Sequence, residues 1–236
     1  MTRPYNQGGC GGCWAFSTSA AVESLAYISG NQTELTEYSV QSLIDCDTDN
    51  YGCTGGWMYQ GFAYVSANGI VKKTDYRDYH GNSAKTCEVN DTDKEVHMKN
   101  IGYVEHDGKT NEELKELLLQ QPVSIGMYTT GMMSAYRDGV FTEDFLHCSY
   151  ADREVNHGVV LIGYGKVGPH DRVRGRCKEY WIIRNSWGAD WGEDGFFRVC
   201  ADKPGSKKTP VGTCLVNRYS TWPTLNYDDI DWDFDI

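Results

Sequence analysis

The chain has 236 residues, enough to bury a substantial core in one compact unit or in two lobes that share a cleft. Its 22 Lys and Arg residues stand against 33 Asp and Glu residues, and the net charge of −11 argues against a nucleic-acid-binding surface. No apolar run approaches the roughly 18 residues that a membrane helix needs, so no membrane partner is expected either.

The first part of the chain reads as helices. Residues 13–28 are nearly all apolar or small, which predicts a buried helix that Gly30 ends. Thr36 is the predicted N-cap of a second helix over 36–45, with Leu35 and Val40 as a hydrophobic staple. The first part of the chain is therefore expected to form a helical lobe that begins with these two helices.

Two more helices are predicted downstream. One covers residues 57–68 and is stopped by Gly69. The other follows Thr110, which forms a T-x-x-E capping box with Glu113 ahead of a leucine-rich run, and Pro122 stops it.

Strand-like runs separated by Gly-rich turns follow, at residues 123–127, 159–163, 180–184 and 196–199. The predicted fold class is α+β, with a helical lobe over about 8–105 and a β lobe over about 106–222. Clefts are common between such lobes, so catalytic groups from distant parts of the sequence could meet there. Residues 223–236 form an acidic tail that we expect to be disordered.

Nine cysteines are many for a reduced cytosol and indicate a disulfide framework. The odd number leaves at least one unpaired cysteine, as an intermolecular link, a buried thiol or a reactive one. Sequons at Asn31 and Asn90 predict N-glycosylation and weakly favour the secretory pathway.

Cys13 stands where a Gly-rich loop meets the first buried helix. The glycines allow a substrate to approach, and the helix N-terminus favours a thiolate over a thiol. The free N–H groups there, together with the side-chain amide of Gln7, could stabilise an oxyanion. Alternatively, Cys10 and Cys13 could form a thioredoxin-like redox pair or half of a zinc site, although neither the expected βαβ unit nor a second Cys/His pair lies nearby.

Residues 7–16, QGGCGGCWAF, resemble the nucleophile signature Q-x-x-C-G-x-C-W-A-F of the papain and cathepsin family of cysteine proteases. Further matches follow in family order: LIDC at 43–46, YGCTGG at 51–56, NHGVV at 156–160 and YWIIRNSWG at 180–188. The resemblance spans almost the whole chain, and its details look more like cathepsin O than cathepsin L.

The resemblance implies a papain-like two-lobe fold, with a buried central helix on the left and a β-barrel-like lobe on the right. It implies a cysteine endopeptidase in which Cys13 is the nucleophile, His157 the general base and Asn185 the residue that orients the imidazole. Gln7 and the Cys13 N–H would stabilise the oxyanion. The family's exopeptidase loop with paired histidines has no counterpart between Cys53 and Cys148, which favours an endopeptidase.

The spacing departs from the family pattern at one place. His157 lies 144 residues after Cys13 (157 minus 13), within the family's roughly 130–150, but Asn185 lies 172 after it (185 minus 13). The excess falls in a basic inserted segment, residues 166–178, which we expect to be a solvated surface loop rather than a recognition element.

The resemblance also assigns substrate-binding roles to Gly55, Gly56, Trp57, Met58, Val155, Asn156 and Trp187. The two glycines would pair with the substrate backbone. Trp57, Met58 and Val155 would line the main specificity pocket and favour an apolar residue two positions before the cut. Trp187 would shield the contact between the catalytic histidine and asparagine from water.

Family-like disulfide pairings would be Cys10 with Cys53, Cys46 with Cys87, and Cys148 with Cys214. Cys177 and Cys200 then remain, and we predict that they close the base of the inserted segment. Cys13 is left as the free thiol.

The resemblance further implies peptide and protein substrates, cystatin-like inhibitors, an inhibitory propeptide and a monomer, without cofactor or metal. The expected location is lysosomal, endosomal or extracellular. Signal peptide, propeptide and the usual start of the mature enzyme are absent from the sequence, so the full gene is expected to encode a zymogen. The competing hypotheses are an inactive papain-like binding or storage protein and a thiol-disulfide oxidoreductase.

Overall fold

The structure is a computed structural model that describes residues 1–83, 86–89, 96–148, 154–173, 175–201 and 211–225. The α-helices in these residues are α1 (Cys13–Ile28), α2 (Val40–Cys46), α3 (Met58–Asn68), α4 (Asn111–Leu118) and α5 (Glu143–Leu146). The strands are β1 (Ile70–Val71), β2 (Val96–His97), β3 (Gly102–Asp107), β4 (Val123–Met127), β5 (Val140–Phe141), β6 (His157–Lys166), β7 (Glu179–Arg184), β8 (Phe196–Cys200) and β9 (Tyr219–Thr224).

Helix α1 is the central element of the helical lobe and has the predicted bounds. Trp14 and Val22 are fully buried in it and pack in one core with Phe62 of α3 and Leu43 of α2. The last turn departs from the prediction, because Ile28 is 54% exposed. The buried part of α1 therefore ends before the helix does.

The predicted start of the second helix is wrong. Ser39, not Thr36, is the N-cap of α2, and its hydroxyl accepts the Ser42 N–H at 3.0 Å. The preceding chain is extended because Ser39 N–H donates to the Val71 carbonyl, and Leu35 is exposed rather than stapled to the helix. A contact with a distant strand overrides the local capping signal here.

The third and fourth helices follow the prediction closely. Helix α3 ends at Asn68, and Gly69 follows it with a φ of 76°, a backbone conformation that favours glycine. At α4 the capping box is complete: the Glu113 N–H donates to the Thr110 hydroxyl at 3.2 Å, and the Thr110 N–H donates to the Glu113 carboxylate at 2.6 Å.

The β lobe is built on a seven-stranded sheet in the order β3-β9-β4-β6-β7-β8-β5. The pairings are antiparallel except for the parallel pair β5 and β8. The β4–β6 register sets Met127 opposite His157, so the sheet places the histidine at the end of a paired strand. The core of this lobe includes Ile125, Leu161, Trp181 and Phe197, all fully buried.

Sequence patterns missed three strands of this sheet, β3, β5 and β9. Strand β9 contains Pro223, which weakens the strand pattern, and it pairs with β3 from more than a hundred residues away. Because β3 begins at Gly102, the β lobe starts slightly before the predicted boundary near residue 105. Thr224 likewise belongs to β9 rather than to the acidic tail, and residues 226–236 of that tail lie outside the described residues.

The inserted segment between β6 and β7 lies at the surface with mostly exposed side chains, as expected of a solvated loop, and two of its residues also contact the sheet through their backbone. Val140 of β5 donates its N–H to the Arg172 carbonyl at 2.7 Å, and Val173 forms a bridge with the same residue. The Asp171 carboxylate pairs with Arg198 of β8 at 2.5 Å. The side chain of Arg172 is exposed, while its backbone and that of Val173 contact the edge strand β5.

All nine cysteines are among the described residues, and eight form disulfides. The structure joins the same partners as the sequence analysis: Cys10 with Cys53, Cys46 with Cys87, Cys148 with Cys214, and Cys177 with Cys200. Cys13 is free. Among the helices that the structure describes, none has the length and apolar character required to cross a membrane.

Candidate active site

The loop before α1 is shaped by close contacts that require glycine. A Cβ on Gly11 would lie 2.7 Å from the Cys53 carbonyl oxygen, and a Cβ on Gly12 would lie 2.9 Å from the Ile44 side chain. The Gly11 N–H donates to that same Cys53 carbonyl at 2.8 Å. These contacts lead into α1, of which Cys13 is the first residue; side-chain capping is absent at this helix start, and the Trp14 N–H forms a hydrogen bond with the thiol.

His157 and Asn185 are brought together by neighbouring strands of the sheet. His157 begins β6 and is buried, and Asn185 follows directly after β7. The His157 Nε2 atom lies 2.7 Å from the Asn185 Oδ1 atom. The imidazole stacks on the Trp187 ring, with centroids 5.1 Å apart. Trp187 therefore packs against the imidazole, while its shielding of the contact from water stays a prediction.

The hydrogen bonds of Asn185 define the proton positions on the imidazole. Its Oδ1 atom also accepts the Ser186 backbone N–H at 2.8 Å, which requires an oxygen at this position. The His157 Nε2 atom must then carry a hydrogen to donate to the same oxygen. The other ring nitrogen, Nδ1, is left for the proton of Cys13.

The Cys13 thiol lies half-buried at the floor of the cleft. Burial is the largest influence on its pKa and raises it, but the hydrogen bond and charge of His157 and the backbone N–H groups of Gly158 and Trp14 together outweigh burial. The pKa of Cys13 is therefore lowered from its ordinary value of 9.0. A thiolate is the nucleophilic form of cysteine.

The Gln7 carboxamide is held at both ends. Its oxygen accepts the Ser186 hydroxyl at 2.5 Å, and its nitrogen donates to the Cys10 carbonyl at 3.0 Å. The Gln7 backbone N–H donates to the Ser186 carbonyl at 2.8 Å. One N–H of the side-chain amide is left for a ligand in the cleft, which Gln7 lines together with Cys13.

The cleft between the lobes has a volume of about 340 Å³. It is lined by Gln7, Gly11, Cys13, Thr54, Gly55, Gly56, Trp57, Met58, Gly126, Val155, Asn156, His157 and Gly158. All the predicted substrate-binding residues except Trp187 thus meet in one cavity. Sequence reasoning missed Gly126, which carries no motif; its place opposite Trp57 arises from strand β4.

Two glycines keep the cleft open. A Cβ on Gly126 would lie 3.0 Å from the Val155 side chain and 3.5 Å from the Trp57 ring. A Cβ on Gly56 would lie 2.1 Å from the Asn50 Oδ1 atom, the acceptor of the Trp57 N–H. A side chain at either position would therefore displace the walls of the cavity.

Cys10 is unavailable for redox cycling with Cys13 in this structure. Its sulfur is bonded to Cys53 at 2.02 Å. In the part of the chain that the structure describes, no group of three or more His, Cys, Asp or Glu side chains is arranged to hold a metal ion. The geometry around Cys13 instead supports nucleophilic catalysis with a histidine partner.

Comparison with known proteins agrees with this geometry. The family model for papain family cysteine proteases matches residues 1–224. The chain belongs to this family. Zingipain-2 of Zingiber officinale is 35% identical over 221 residues, which cover 92% of this chain and 89% of zingipain-2. The match confirms the predicted family and the enzyme class, a cysteine protease among the hydrolases.

Solved structures of the papain family share the fold. The cysteine protease CMS1MS2 of Carica candamarcensis, in complex with E-64, aligns with a TM-score of 0.76 at 33% identity, covering 96% of this chain and 94% of that chain. The proform of Amb a 11, a cysteine protease of ragweed pollen, has the same TM-score and identity, covering 96% of this chain but only 62% of that chain. The predicted α+β two-lobe fold is confirmed, while the closer likeness to cathepsin O stays a prediction.

Proposed function

We propose that this papain-family protease is an endopeptidase whose reaction is carried out by Cys13, His157, Asn185 and Gln7. The observation that carries the proposal is the hydrogen-bonded series from Asn185 through His157 to Cys13, which begins with the 2.7 Å contact of Nε2 and Oδ1. It supplies a thiolate, a proton carrier and an orienting group in one cleft.

In the acylation step the Cys13 thiolate attacks the carbonyl carbon of the scissile peptide bond. A C–S bond forms, and the carbonyl electron pair moves to oxygen. When the tetrahedral intermediate collapses, the C–N bond breaks and the amine leaves with the proton that His157 carries. A thioester on Cys13 and a neutral imidazole remain.

In the deacylation step His157 takes a proton from water, and the water oxygen attacks the thioester carbon. Collapse of the second tetrahedral intermediate breaks the C–S bond and releases the carboxylic acid product. The thiolate of Cys13 and the protonated imidazole are restored. Asn185 keeps the imidazole in the tautomer that both steps require.

The oxyanion of both intermediates would lie between the Gln7 amide and the backbone N–H of Cys13. The support is the double anchoring of the Gln7 carboxamide, which holds one amide hydrogen ready without reorganisation. Donors fixed in this way are typically worth about a hundred- to a thousandfold in rate.

We infer that the main specificity pocket accepts a large apolar side chain two residues before the cut. Trp57, Met58 and Val155 form its walls, and Gly126 leaves its centre open. Gly126→Val should reduce hydrolysis of a substrate with phenylalanine there about tenfold or more, while a substrate with valine is affected less. Equal losses on both substrates would argue that Gly126 does not shape the pocket.

Partners and location are proposed from the relatives and from the disulfides. The proform of Amb a 11 and the E-64 complex of CMS1MS2 support an inhibitory propeptide and a reactive cysteine for this chain as well. Four disulfides are typical of the secretory pathway, within which we propose a lysosomal, endosomal or extracellular location. We further propose inhibition by cystatin-like proteins and a monomeric state.

Glycosylation is proposed at Asn31, whose side chain is exposed on the turn after α1. The second predicted site, Asn90, lies outside the described residues. Digestion of protein secreted from a eukaryotic host with an endoglycosidase would show a mass shift at the Asn31 peptide; an unchanged peptide would reject the site.

The experiment that tests the proposed function is labelling with E-64 in weak acid, with Cys13→Ala as the matched control. We expect one label per chain on Cys13, loss of hydrolysis of a fluorogenic dipeptide in proportion to labelling, and neither label nor hydrolysis in the variant. Folded protein that takes no label would point to an inactive binding protein. Peptide mass mapping adds a second test, because a thiol-disulfide oxidoreductase would show Cys10 bonded to Cys13 instead of Cys53.

A further inference from the structure

A second cavity, of about 310 Å³, lies in the β lobe. It shares no lining residue with the catalytic cleft and is nearly as large. Ligand sites in proteins typically have volumes of about 300–1,000 Å³ and combine apolar walls with a few polar groups. The volume of this cavity is therefore sufficient for a small molecule.

The inserted segment supplies one wall of this cavity. Gly139 allows the approach, because a Cβ there would lie 2.5 Å from the Arg172 carbonyl oxygen and the residue has a φ of 93°. The Val140 N–H donates to that carbonyl at 2.7 Å, and the neighbouring Asp171 is anchored to Arg198. Arg172 is thus fixed at the edge of the cavity by its backbone rather than carried on a free loop.

The interior of the cavity is aromatic. Tyr136 is buried, and its hydroxyl donates to the Gly139 carbonyl at 2.7 Å. Its ring borders the cavity while packing against Phe141 and Trp191. The rings of Phe141 and Phe145 stack with centroids 5.5 Å apart. Met132 lines the opening and is 43% exposed, so an apolar surface is accessible from solvent.

The rim of the cavity carries an excess of positive charge. Arg172 pairs with Asp138 at 3.0 Å. Arg137 also lines the cavity, and within the described residues its guanidinium has no carboxylate partner. Two cations against one carboxylate form a local positive site on a chain whose net charge is −11.

We propose that this cavity is a second binding site, for a small amphipathic organic anion with an aromatic body and one carboxylate or sulfonate group. The body would lie against Tyr136, Phe141 and Phe145, and the anionic group would pair with Arg137 at the rim. The site is separate from the catalytic cleft and does not depend on the proposed function.

The test uses 1-anilinonaphthalene-8-sulfonate as the probe, with fluorescence and calorimetric titration of protein whose Cys13 has been blocked by E-64. Blocking the thiol fills the cleft and removes it as a competing site. We expect saturable binding of one probe per chain, and weaker binding of N-phenyl-1-naphthylamine, which has the same rings without the sulfonate.

Variants locate the site. Ala135→Trp, a substitution at an exposed position of the wall, should abolish binding by filling the cavity. Arg137→Ala should weaken the sulfonate probe about three- to fivefold and leave the neutral probe unchanged. Arg176→Ala is the matched control, because this exposed arginine of the inserted segment does not line the cavity. Thermal unfolding checks that each variant is folded.

Three results would overturn the proposal. They are absence of saturable binding, binding that Ala135→Trp leaves intact in a folded variant, and binding that Arg137→Ala and Arg176→Ala weaken equally. The last result would show a general attraction of anions to arginines instead of a site.

Discussion

Two polar clusters join the helical lobe to the β lobe, and burial acts on them with opposite outcomes. In the cleft, burial is the largest influence on the pKa of Cys13 and raises it, yet the pKa is lowered overall. In the second cluster, burial also raises the pKa of Glu23 on α1, and there burial prevails. The surroundings of Cys13 thus favour its charged form, whereas those of Glu23 favour its neutral form.

The second cluster links Glu23 to Arg184, the last residue of β7. The Thr2 hydroxyl lies between them: it donates to the Glu23 carboxylate at 2.5 Å and accepts the Arg184 guanidinium at 3.1 Å. The Tyr38 backbone N–H donates to the other carboxylate oxygen at 3.0 Å. Burial also acts on Arg184, where it lowers the pKa of the guanidinium. Burial thus disfavours the charged form of both partners.

The position of the charged partner accounts for the difference. His157 forms a hydrogen bond with Cys13 itself, and the backbone N–H groups of Gly158 on β6 and Trp14 on α1 add to its effect. The Arg184 guanidinium reaches Glu23 through a neutral hydroxyl, and the carboxylate is more deeply buried than the thiol. A directly bonded partner in an open cleft outweighs burial, whereas a relayed partner in a closed interface does not.

The largest expected effect comes from removing the direct partner. His157→Ala should lower kcat/KM at least about a thousandfold, because both the general base and the stabiliser of the thiolate are lost. The pKa of Cys13 should rise to its ordinary value of 9.0 or above, since burial still acts on it. The rate of alkylation by iodoacetamide, measured against pH, reports this shift.

His106→Ala is the matched control for that experiment, because His106 is an exposed histidine on β3. Its alkylation profile should coincide with that of the unsubstituted protein. An unshifted profile in His157→Ala would contradict the assignment of His157 as the partner of the thiol.

A smaller effect is expected from Asn185→Ala. The 2.7 Å contact with His157 orients the ring but takes no part in bond making, so kcat should fall about ten- to a hundredfold with little change in KM. The alkylation pKa of Cys13 should move less than in His157→Ala. Identical profiles in the two variants would show that Asn185 does more than position the imidazole.

Local signals made much of the cleft predictable from sequence. The Gly-rich loop and the apolar run after Cys13 specify a helix start, and the capping box at Thr110 specifies another, so α1 and α4 have the expected starts. The flanking motifs identified His157 and Asn185 despite the insertion that separates them. These features depend on neighbours within a few residues.

Features that depend on distant pairing were not predictable. Gly126 belongs to the specificity pocket only because β4 lies opposite Trp57, and β9 forms only because β3 and β4 pair with it. Ser39 replaces Thr36 as a cap because Val71 pairs with it. The hydrogen bonds that link Glu23 through Thr2 to Arg184 likewise require α1, β7 and the N-terminal segment together. No pattern of neighbouring residues predicts them.

The smallest predicted effect concerns stability at the second cluster. The folded-state pKa of Glu23 lies above its ordinary value of 4.5, so its stabilising contribution is full below the unfolded pKa and is lost as the pH rises through the folded pKa. Gln cannot titrate. The Tm of Glu23→Gln minus that of the unsubstituted protein should therefore increase as the pH rises from below 4.5, and should level off once the pH exceeds the folded-state pKa of Glu23.

Glu113→Gln sharpens this test, because the pKa of Glu113 is shifted in the opposite direction from that of Glu23. Burial raises the pKa of Glu113, but its hydrogen bonds with the Thr110 hydroxyl and N–H outweigh burial and lower it. Its stabilising contribution is thus present above the unfolded pKa and lost as the pH falls through the folded pKa. Glutamine still completes the capping box, so the cost should be about 0.5 kcal/mol or less near neutral pH, shrinking in acid. Opposite slopes of the two Tm differences against pH would support opposite pKa shifts at Glu23 and Glu113; parallel slopes would show that net charge, rather than the surroundings of each carboxylate, governs both.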